Sequence, residues 1–253
     1  MLRSDAIVSQ LNSDTYAQGL ILGECVDSTN LKVKEMALHG AAEGCTLIAA
    51  TQSGGRGRLG RTFHSPKGGL YLSTLLRPAG DTDPARITCC AAVAAARAIE
   101  SLCDAKVEIK WVNDLYLNGR KVAGILAEGV IAPDGTLSAV VLGIGINVGP
   151  IAFPEDLRAI ATSLAQEGFP LTREAVAAAF LNEWERVYTA SDTAAVMAEY
   201  RRRNLVLGRQ VTVVQGSLCY PATAEDITDG GHLLVSTPDG ERELSSGEVT
   251  LRL

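Results

Sequence analysis

The chain has 253 residues, of which 47% are hydrophobic and 21% are charged, so its composition is that of a folded globular protein rather than a disordered one. Its formal net charge of −6 gives no general electrostatic attraction to nucleic acid or anionic lipid. The N-terminal residues lack the regions of a signal peptide, and no apolar run is long enough to cross a bilayer. These features predict a cytoplasmic protein that binds neither DNA nor membranes.

The first four fifths of the chain predict strands interleaved with helices. Asp27 to Asn30 provide capping side chains for a first helix, and Asn118-Gly119 and Asp134-Gly135 predict tight hairpin turns. The predicted helices lie near residues 29–39, 84–102, 155–167 and 173–203. The predicted strands share apolar and β-branched runs and lie near 20–26, 46–51, 70–76, 107–111, 115–117, 122–127 and 137–148.

Beyond residue 204 the pattern changes to short β runs at 211–214, 218–224 and 233–237, separated by glycine-containing turns. This pattern predicts a small β barrel attached to a larger domain. We therefore predict an α+β chain with domains at 1–204 and 205–253.

The six cysteines contain no CxxC pair and lie mostly in apolar segments, so we expect reduced, buried thiols. The three histidines lack the spacing of zinc ligands. The sequence therefore predicts no protein-bound metal site.

Glycines alternate with three arginines in the segment Thr51-Gln52-Ser53-Gly54-Gly55-Arg56-Gly57-Arg58-Leu59-Gly60-Arg61. Glycines let a backbone approach a ligand closely, and guanidinium groups match phosphate and carboxylate oxygens. The segment therefore predicts a site for an anionic ligand. From these residues alone, a solvated surface loop without a ligand is an alternative interpretation of the segment. A dinucleotide fingerprint is disfavoured because no helix follows, and an RGG-like nucleic-acid segment because only one copy is present.

A second polar cluster, Lys110-Trp111-Val112-Asn113-Asp114-Leu115, ends a predicted strand, and Lys121 follows across the Asn118-Gly119 turn. Strand pairing across this turn would bring Asp114 close to Lys121. Taken alone, such a pair is also compatible with a surface ion pair.

Across nearly its whole length the sequence resembles the biotin–protein ligase family. The resemblance rests on short motifs that occur in the family's order: DSTN at 27–30, GGRGRLGR at 54–61, Ser65-Pro66 before Gly69-Leu70-Tyr71, KWVNDL at 110–115, RKVAGIL at 120–126 and GIGINV at 143–148. It implies a class II synthetase-like catalytic domain with a mixed sheet and an SH3-like C-terminal barrel.

The resemblance also implies a role for individual residues. Lys121, Asp114 and Arg58 would be catalytic. The residues around biotin would be Ser28, Thr29, Asn30, Gln52, Gly55, Arg56, Lys121 and Gly124. Those facing ATP or the adenylate would be Arg56, Arg58, Arg61, Phe63, Asn113, Lys121 and Asn147.

Two positions depart from the family pattern. The usual proline of KWPNDL is Val112, which retains an N–H group, and the aromatic residue after the arginines, often Trp, is Phe63. Neither change removes a charged group. Phe63 could still stack on adenine, with a smaller area of contact.

The implied reaction has two steps: biotin and ATP, with Mg²⁺, form biotinyl-5′-AMP, and biotin is then transferred to a lysine of a biotin carboxyl carrier protein. A lipoate-type ligase and a biotin-binding regulatory module are the alternatives. Only 26 residues precede Asp27, so we expect no winged-helix domain of the kind that related bifunctional repressors carry. Many relatives dimerise, so a homodimer stays open.

Overall fold

A computed structural model describes residues 2–78, 83–132, 135–245 and 247–251, which form a seven-stranded sheet with helices on both faces and a five-stranded sheet. The helices in these ranges are Ser4–Val8 (α1), Asp14–Gln18 (α2), Thr29–Leu38 (α3), Pro84–Leu102 (α4), Glu155–Arg158 (α5), Arg173–Tyr188 (α6) and Thr193–Arg203 (α7). The strands of the large sheet are Leu20–Val26 (β1), Thr46–Gln52 (β2), Gly69–Leu76 (β3), Glu108–Lys110 (β4), Asp114–Leu117 (β5), Arg120–Ile131 (β6) and Leu137–Asn147 (β7). Those of the small sheet are Gln210–Gln215 (β8), Leu218–Ile227 (β9), Leu233–Thr237 (β10), Gly240–Leu244 (β11) and Glu248–Leu251 (β12).

The large sheet is mixed, with strand order β1-β2-β3-β7-β6-β5-β4. Strands β1 and β2 run parallel, and the other neighbouring strands pair antiparallel. The α+β class and the mixed sheet are therefore confirmed. Because a parallel pair needs a crossover connection, the segment between β1 and β2 contains a helix, α3.

Successive residues of the central strands contribute to two different hydrophobic cores. Ile48 packs with α4 and α6 on one face of the sheet, whereas Leu47 packs with Val33 of α3 on the other. This alternation follows from the two-residue period of a strand. Both faces of the central strands are covered, so the polar groups of the site must lie at the strand ends or over glycines.

Helix α4 is the main element of the larger core. Pro84 occupies its first turn, and the Asp83 side chain accepts a hydrogen bond from the N–H of Ala85 at 2.8 Å, which caps the start of the helix. Its run of buried alanines gives a smooth surface between the sheet and α6. The predicted bounds of 84–102 are confirmed.

Two helix predictions were too long. Only Glu155–Arg158 is helical within the predicted 155–167 segment, because residues 160–162 instead bond to β6. The N–H of Lys121 donates to Ile160 O at 2.8 Å, and the N–H of Thr162 donates to Lys121 O at 2.9 Å. The predicted helix 173–203 is two helices, because Asp192 caps a new start at α7.

The start of α3 is capped by different side chains from those predicted. Ser28 is the N-cap residue, but its side chain makes no capping hydrogen bond. The Asp27 carboxylate accepts from the N–H of Ser28, and Gln52 Oε1 accepts from the N–H of Thr29, each at 2.8 Å. A side chain from β2 therefore satisfies the start of the helix.

All six cysteines are free thiols, as expected, but the expectation that they are buried was only partly right. Cys89 and Cys90 are buried in α4, whereas Cys25 and Cys219 are exposed because they lie on outward-facing positions of β1 and β9. The Asp134-Gly135 turn lies partly outside the described residues. No helix in the described ranges combines the length and apolar character that a membrane span needs.

The five-stranded sheet is antiparallel, with order β11-β10-β9-β8-β12, consistent with the predicted small barrel. Its β9–β10 turn packs against α4, where Gly231, with a φ of +88°, lies beside Ala85 and Cys89. A side chain at Gly231 would meet the α4 backbone at 3.0 Å, so this close approach requires glycine. The predicted boundary after residue 204 falls between α7 and β8.

His232, in the same turn, joins the small sheet to the start of α4. Its Nε2 lies 2.7 Å from Asp83 Oδ2, and its Nδ1 lies 2.7 Å from Glu243 Oε1. Burial alone would lower the pKa of His232, but the hydrogen bonds and charges of Glu243 and Asp83 outweigh it, and the pKa is raised above 6.5. The folded chain therefore binds this proton more tightly than the unfolded chain does.

We expect His232→Gln to remove a pH-dependent part of the free energy of unfolding. Because the folded pKa is raised, the stabilisation is complete below pH 6.5 and is lost as pH rises through the folded pKa. Urea unfolding at several pH values from 6 to 9 measures this loss, with His39→Gln on an exposed helix end as the control. A wild-type decline that persists in His232→Gln would contradict the prediction.

Candidate active site

A cleft of about 490 Å³ opens where α3, the β2–β3 segment, β6 and β7 meet. All predicted site residues line it except Gly55. A side chain at Gly55 would overlap Phe63 O and Ser65 Oγ, so this residue lies against the backbone behind the cleft wall. The residues brought together are Ser28, Thr29, Asn30, Gln52, Arg56, Arg58, Arg61, Phe63, Asn113, Asp114, Lys121, Gly124 and Asn147.

At one end of the cleft, side-chain hydrogen bonds fix the amide of Gln52. Its Oε1 accepts from the N–H and the hydroxyl of Thr29 at 2.8 and 3.1 Å, and its Nε2 donates to Ser65 Oγ at 2.9 Å. Ser65 in turn donates to Phe63 O at 2.8 Å. These bonds give each polar atom one orientation, as a buried site for a polar ligand requires.

Asn30 lines the same end of the cleft and is almost fully buried. Its Nδ2 donates to Glu128 Oε2 at 2.8 Å and to Leu126 O at 3.2 Å, and its Oδ1 accepts from Ser73 Oγ at 2.6 Å. A Cβ at Gly143 would overlap Asn30 Oδ1. The Asn30 amide therefore depends on a glycine in β7.

The arginine segment is a tight, hydrogen-bonded turn. The N–H of Gly57 donates to Arg61 O at 2.7 Å, and the N–H of Phe63 donates to Gly55 O at 2.9 Å. Leu59 and Gly60 at its tip have φ values of +54° and +75°. Leu59 is 66% exposed, and the arginines on either side of it line the cleft.

Lys121 and Asp114 form an ion pair, with Lys121 Nζ 2.7 Å from Asp114 Oδ1. Asp114 pairs in register with Gly124, and a β-bulge between Leu115 and Tyr116 shifts Lys121 toward it. A Cβ at Gly124 would lie 3.2 Å from Lys121 Nζ. The absence of a side chain at Gly124 therefore gives Lys121 room to reach the carboxylate.

Phe63 lies beside this ion pair. Its ring covers Gly124 and Gly145, its centroid is 5.9 Å from Lys121 Nζ, and it meets Tyr71 edge to face at 6.4 Å. The ring therefore forms one wall of the centre that contains Lys121. Its stacking on adenine stays a prediction.

The side-chain amides of Asn113 and Asn147 each donate a hydrogen bond to a backbone carbonyl of a neighbouring segment. Asn113 Nδ2 donates to Ile125 O at 2.9 Å, and its Oδ1 accepts from Arg58 Nη1 at 3.4 Å. Asn147 Nδ2 donates to Thr162 O at 2.9 Å. These bonds fix the two asparagines in the cleft wall.

Several cleft residues were missed by the sequence analysis. Gly143 and Gly145 form part of the floor, and their spacing in Gly-Ile-Gly-Ile was the available signal, because alternate residues face one side of a strand. Phe153, Leu157 and Ile160 form an apolar wall, and the last two come from the segment predicted to be a longer helix. No local signal placed this segment beside the site.

The site also includes contributions that only tertiary structure reveals. Val249 and Thr250 of the small sheet line the cleft, as do Trp111 and Tyr116. Burial, and to a smaller extent the Asp114 carboxylate, raise the pKa of Tyr116 to about 12, so its phenol is neutral at pH 7. Across the described part of the chain, no group of three or more His, Cys, Asp or Glu is placed to hold a metal ion.

We expect Gly145→Ala to displace the Phe63 ring, because the added Cβ would overlap it. The free energy of unfolding should fall by about 1–3 kcal/mol, the usual cost of an extra methyl group in a packed core. Urea unfolding measures the change, with Gly149→Ala as control, because its Cβ would meet its nearest atom at an ordinary 3.4 Å. In a Phe63→Ala background, Gly145→Ala should cause a much smaller fall in the free energy of unfolding. An equal fall in both backgrounds would show that the added Cβ clashes with a group other than the Phe63 ring.

Comparisons with known proteins show the family to which the chain belongs. Residues 22–147 match the Biotin/lipoate A/B protein ligase family, and residues 206–252 match the Biotin protein ligase C terminal domain. The bifunctional ligase/repressor BirA of Bacillus subtilis is 33% identical over 249 residues, which are 95% of this chain and 76% of that protein. The biotin--[acetyl-CoA-carboxylase] ligase of Mycobacterium tuberculosis is 33% identical over 233 residues, 88% of this chain and 85% of that protein.

A solved structure of the biotin protein ligase from Aquifex aeolicus in complex with biotin and ATP is 29% identical to this chain. It superimposes with a TM-score of 0.77, covering 93% of this chain and 99% of the other. With the sequence relatives, this agreement covers both the large sheet and the small one. The chain is therefore a ligase that belongs to the biotin/lipoate A/B protein ligase family, among the biotin protein ligases.

Proposed function

We propose that the chain joins biotin to ATP, forming biotinyl-5′-AMP and pyrophosphate, and then transfers the biotinyl group to a lysine of a biotin carboxyl carrier protein. The ion pair between Lys121 and Asp114 supports this proposal most directly, because it places a cation and a carboxylate side by side within the cleft. Adenylation needs a cation where two negative groups meet, and transfer needs a group that handles a proton.

Biotin is assigned to the end of the cleft that contains Thr29 and Gln52. The oriented amide and hydroxyl groups there suit the ureido ring, whose donors and acceptors all need partners when buried. Ser28 and Arg56 line the same end. Gly55 does not line the cleft itself; its backbone packs closely behind the cleft wall.

ATP is assigned to the region between the arginine turn and the wall formed by residues 153–161. Arg58 and Arg61 would meet the phosphates, and the apolar side chains of Phe153, Leu157 and Ile160, together with the predicted stacking of Phe63, give a surface for the base. Mg²⁺ would enter as part of the nucleotide substrate, since this ion is usually held by phosphates and only one or two carboxylates.

In the first step the biotin carboxylate attacks the α-phosphorus, and pyrophosphate leaves. Lys121 and the arginines offset the negative charge that accumulates, and no protein nucleophile is needed because positioning brings the reactants together. In the second step the carrier lysine attacks the mixed anhydride and AMP leaves. Asp114 orients that amine and helps remove its proton.

Pyrophosphate exchange tests the ligand of the first step without the acceptor protein. A lipoate-type ligase, the alternative within the same family, would support lipoate-dependent exchange, whereas a binding module would support none. The proposal includes no DNA binding, because a net charge of −6 gives no general attraction to nucleic acid. The decisive experiment is exchange of labelled pyrophosphate into ATP with biotin or lipoate. No biotin-dependent exchange would reject the proposed first step.

We expect Lys121 and Asp114 to act in different steps. Lys121→Ala should strongly depress biotin-dependent pyrophosphate exchange, because the cation at the reacting centre is lost, and Lys121→Arg should restore little. Asp114→Asn should retain much of the exchange and slow transfer from preformed adenylate by about 10²–10⁴-fold. Exchange and single-turnover transfer are measured for each variant, with exposed Lys106→Ala as control. Equal losses in both steps for Asp114→Asn would show that the pair acts as one unit.

We expect Arg58→Gly to release the adenylate faster, because a guanidinium contact to the phosphate is lost from the turn that covers it. Escaped adenylate should then modify lysines of bystander proteins such as serum albumin. Leu59→Gly is the matched control, because it adds a glycine to the same turn at a residue whose φ is already +54°. Wild-type adenylate dissociation and carrier selectivity in Arg58→Gly would remove Arg58 from this role.

A further inference from the structure

Glu128, in β6, joins two residues that line the cleft. Its Oε1 lies 3.4 Å from Arg56 Nη2 in the arginine turn, and its Oε2 accepts a hydrogen bond of 2.8 Å from Asn30 Nδ2 in α3. Each carboxylate oxygen therefore contacts a different element of the site. Glu128 lies opposite Val141 of β7, so it stands on a hydrogen-bonded stretch of β6.

We propose that Glu128 is a positioning residue that sets the orientation of Arg56 toward bound biotin. This inference rests on the proposed function, because it deepens the assignment of the biotin end. Arg56 has five N–H donors, so it can keep its contact with Glu128 while other donors meet an oxygen of the ligand. Glu128 therefore prepares Arg56 for the ligand and does not compete for it.

The chemistry of the two contacts requires a carboxylate. Asn30 Nδ2 and Arg56 Nη2 are both donors, so the group between them must offer two acceptors. A glutamine has the same size but offers one acceptor and one donor. Whichever way its amide turns, its NH₂ group faces a donor on one side.

The difference in burial between Asn30 and Arg56 determines which contact a glutamine at position 128 would lose. Asn30 is 6% exposed and is also held by Ser73 and Leu126 O, whereas the Arg56 side chain is 43% exposed. A glutamine would therefore keep its oxygen on Asn30 and turn its NH₂ toward Arg56. Because exposed ion pairs add little to stability, the expected consequence is loss of orientation at Arg56 with little loss of the fold.

The test compares Glu128→Gln with the wild type in biotin-dependent pyrophosphate exchange. The KM for biotin should rise about two- to tenfold, the cost of ordering one long side chain on binding, while kcat changes by less than about twofold. Glu183→Gln is the matched control, because Glu183 pairs with Arg186 on α6, away from the cleft. In an Arg56→Gln background, Glu128→Gln should add no further rise in KM.

A second measurement uses the protein without ligand. Trypsin should cleave after Arg56 and Arg58 faster in Glu128→Gln than in the wild type or in Glu183→Gln, because the turn has lost its contact with β6. The midpoint of urea unfolding should be unchanged, which separates positioning from loss of the fold.

The outcomes distinguish the inference from the function on which it rests. Absent exchange in the wild type rejects the proposed function, and the trypsin rates then decide whether Glu128 positions Arg56. Normal exchange in the wild type with an unchanged KM in Glu128→Gln overturns the inference alone. Additive effects of the Arg56 and Glu128 substitutions on KM would overturn it as well, because Glu128 would then act by another route.

Discussion

The contact between Lys121 and Asp114 depends on glycines in the neighbouring strands, which leave room for the two side chains. A lysine beside a carboxylate on adjacent strands is ordinary, but here the amine must also face a ligand. Gly124 leaves the surface between the two side chains open, and the bulge at Leu115 and Tyr116 pairs Lys121 with Tyr116, two residues from Asp114. Gly145 on the next strand makes room for the ring of Phe63. The reacting centre is therefore built over strands that lack side chains at the required points.

The polar end of the cleft obeys a different constraint, because its groups are taken out of water. Thr29, Gln52 and Ser65 bond in sequence, so each hydroxyl and amide has a fixed direction before a ligand arrives. Ser73 sits beneath them and reaches both Thr29 Oγ1 and Asn30 Oδ1, at 2.7 and 2.6 Å. Such a connected set excludes alternative orientations, which lowers the entropic cost of binding a polar ligand.

Local signals in the sequence predicted the strands of the large sheet, helix α4 and the hairpin that joins Asp114 to Lys121. The Asn118-Gly119 turn was predictable because both residues adopt positive φ, at 49° and 76°. The end of the helix near Arg158 was not, because hydrogen bonds to Lys121 replace helical bonds and no nearby residue signals that change. Asn30, a predicted site residue, lines the cleft, but its contact with Glu128 connects residues 98 positions apart. Such contacts follow from the fold and not from a local pattern.

The small sheet contributes to the site through the turn that precedes Asp114. Trp111 Nε1 donates to Gly231 O of the β9–β10 turn at 2.9 Å, and Tyr200 of α7 donates to Val112 O at 2.9 Å. Both bonds are buried, so breaking either would leave a polar group without its partner. The usual family proline is replaced by Val112, yet its carbonyl is held by a side chain from another element. Because the small sheet also places Thr250 at the cleft, its position bears on both the orientation of Asp114 and the shape of the space that ligands enter.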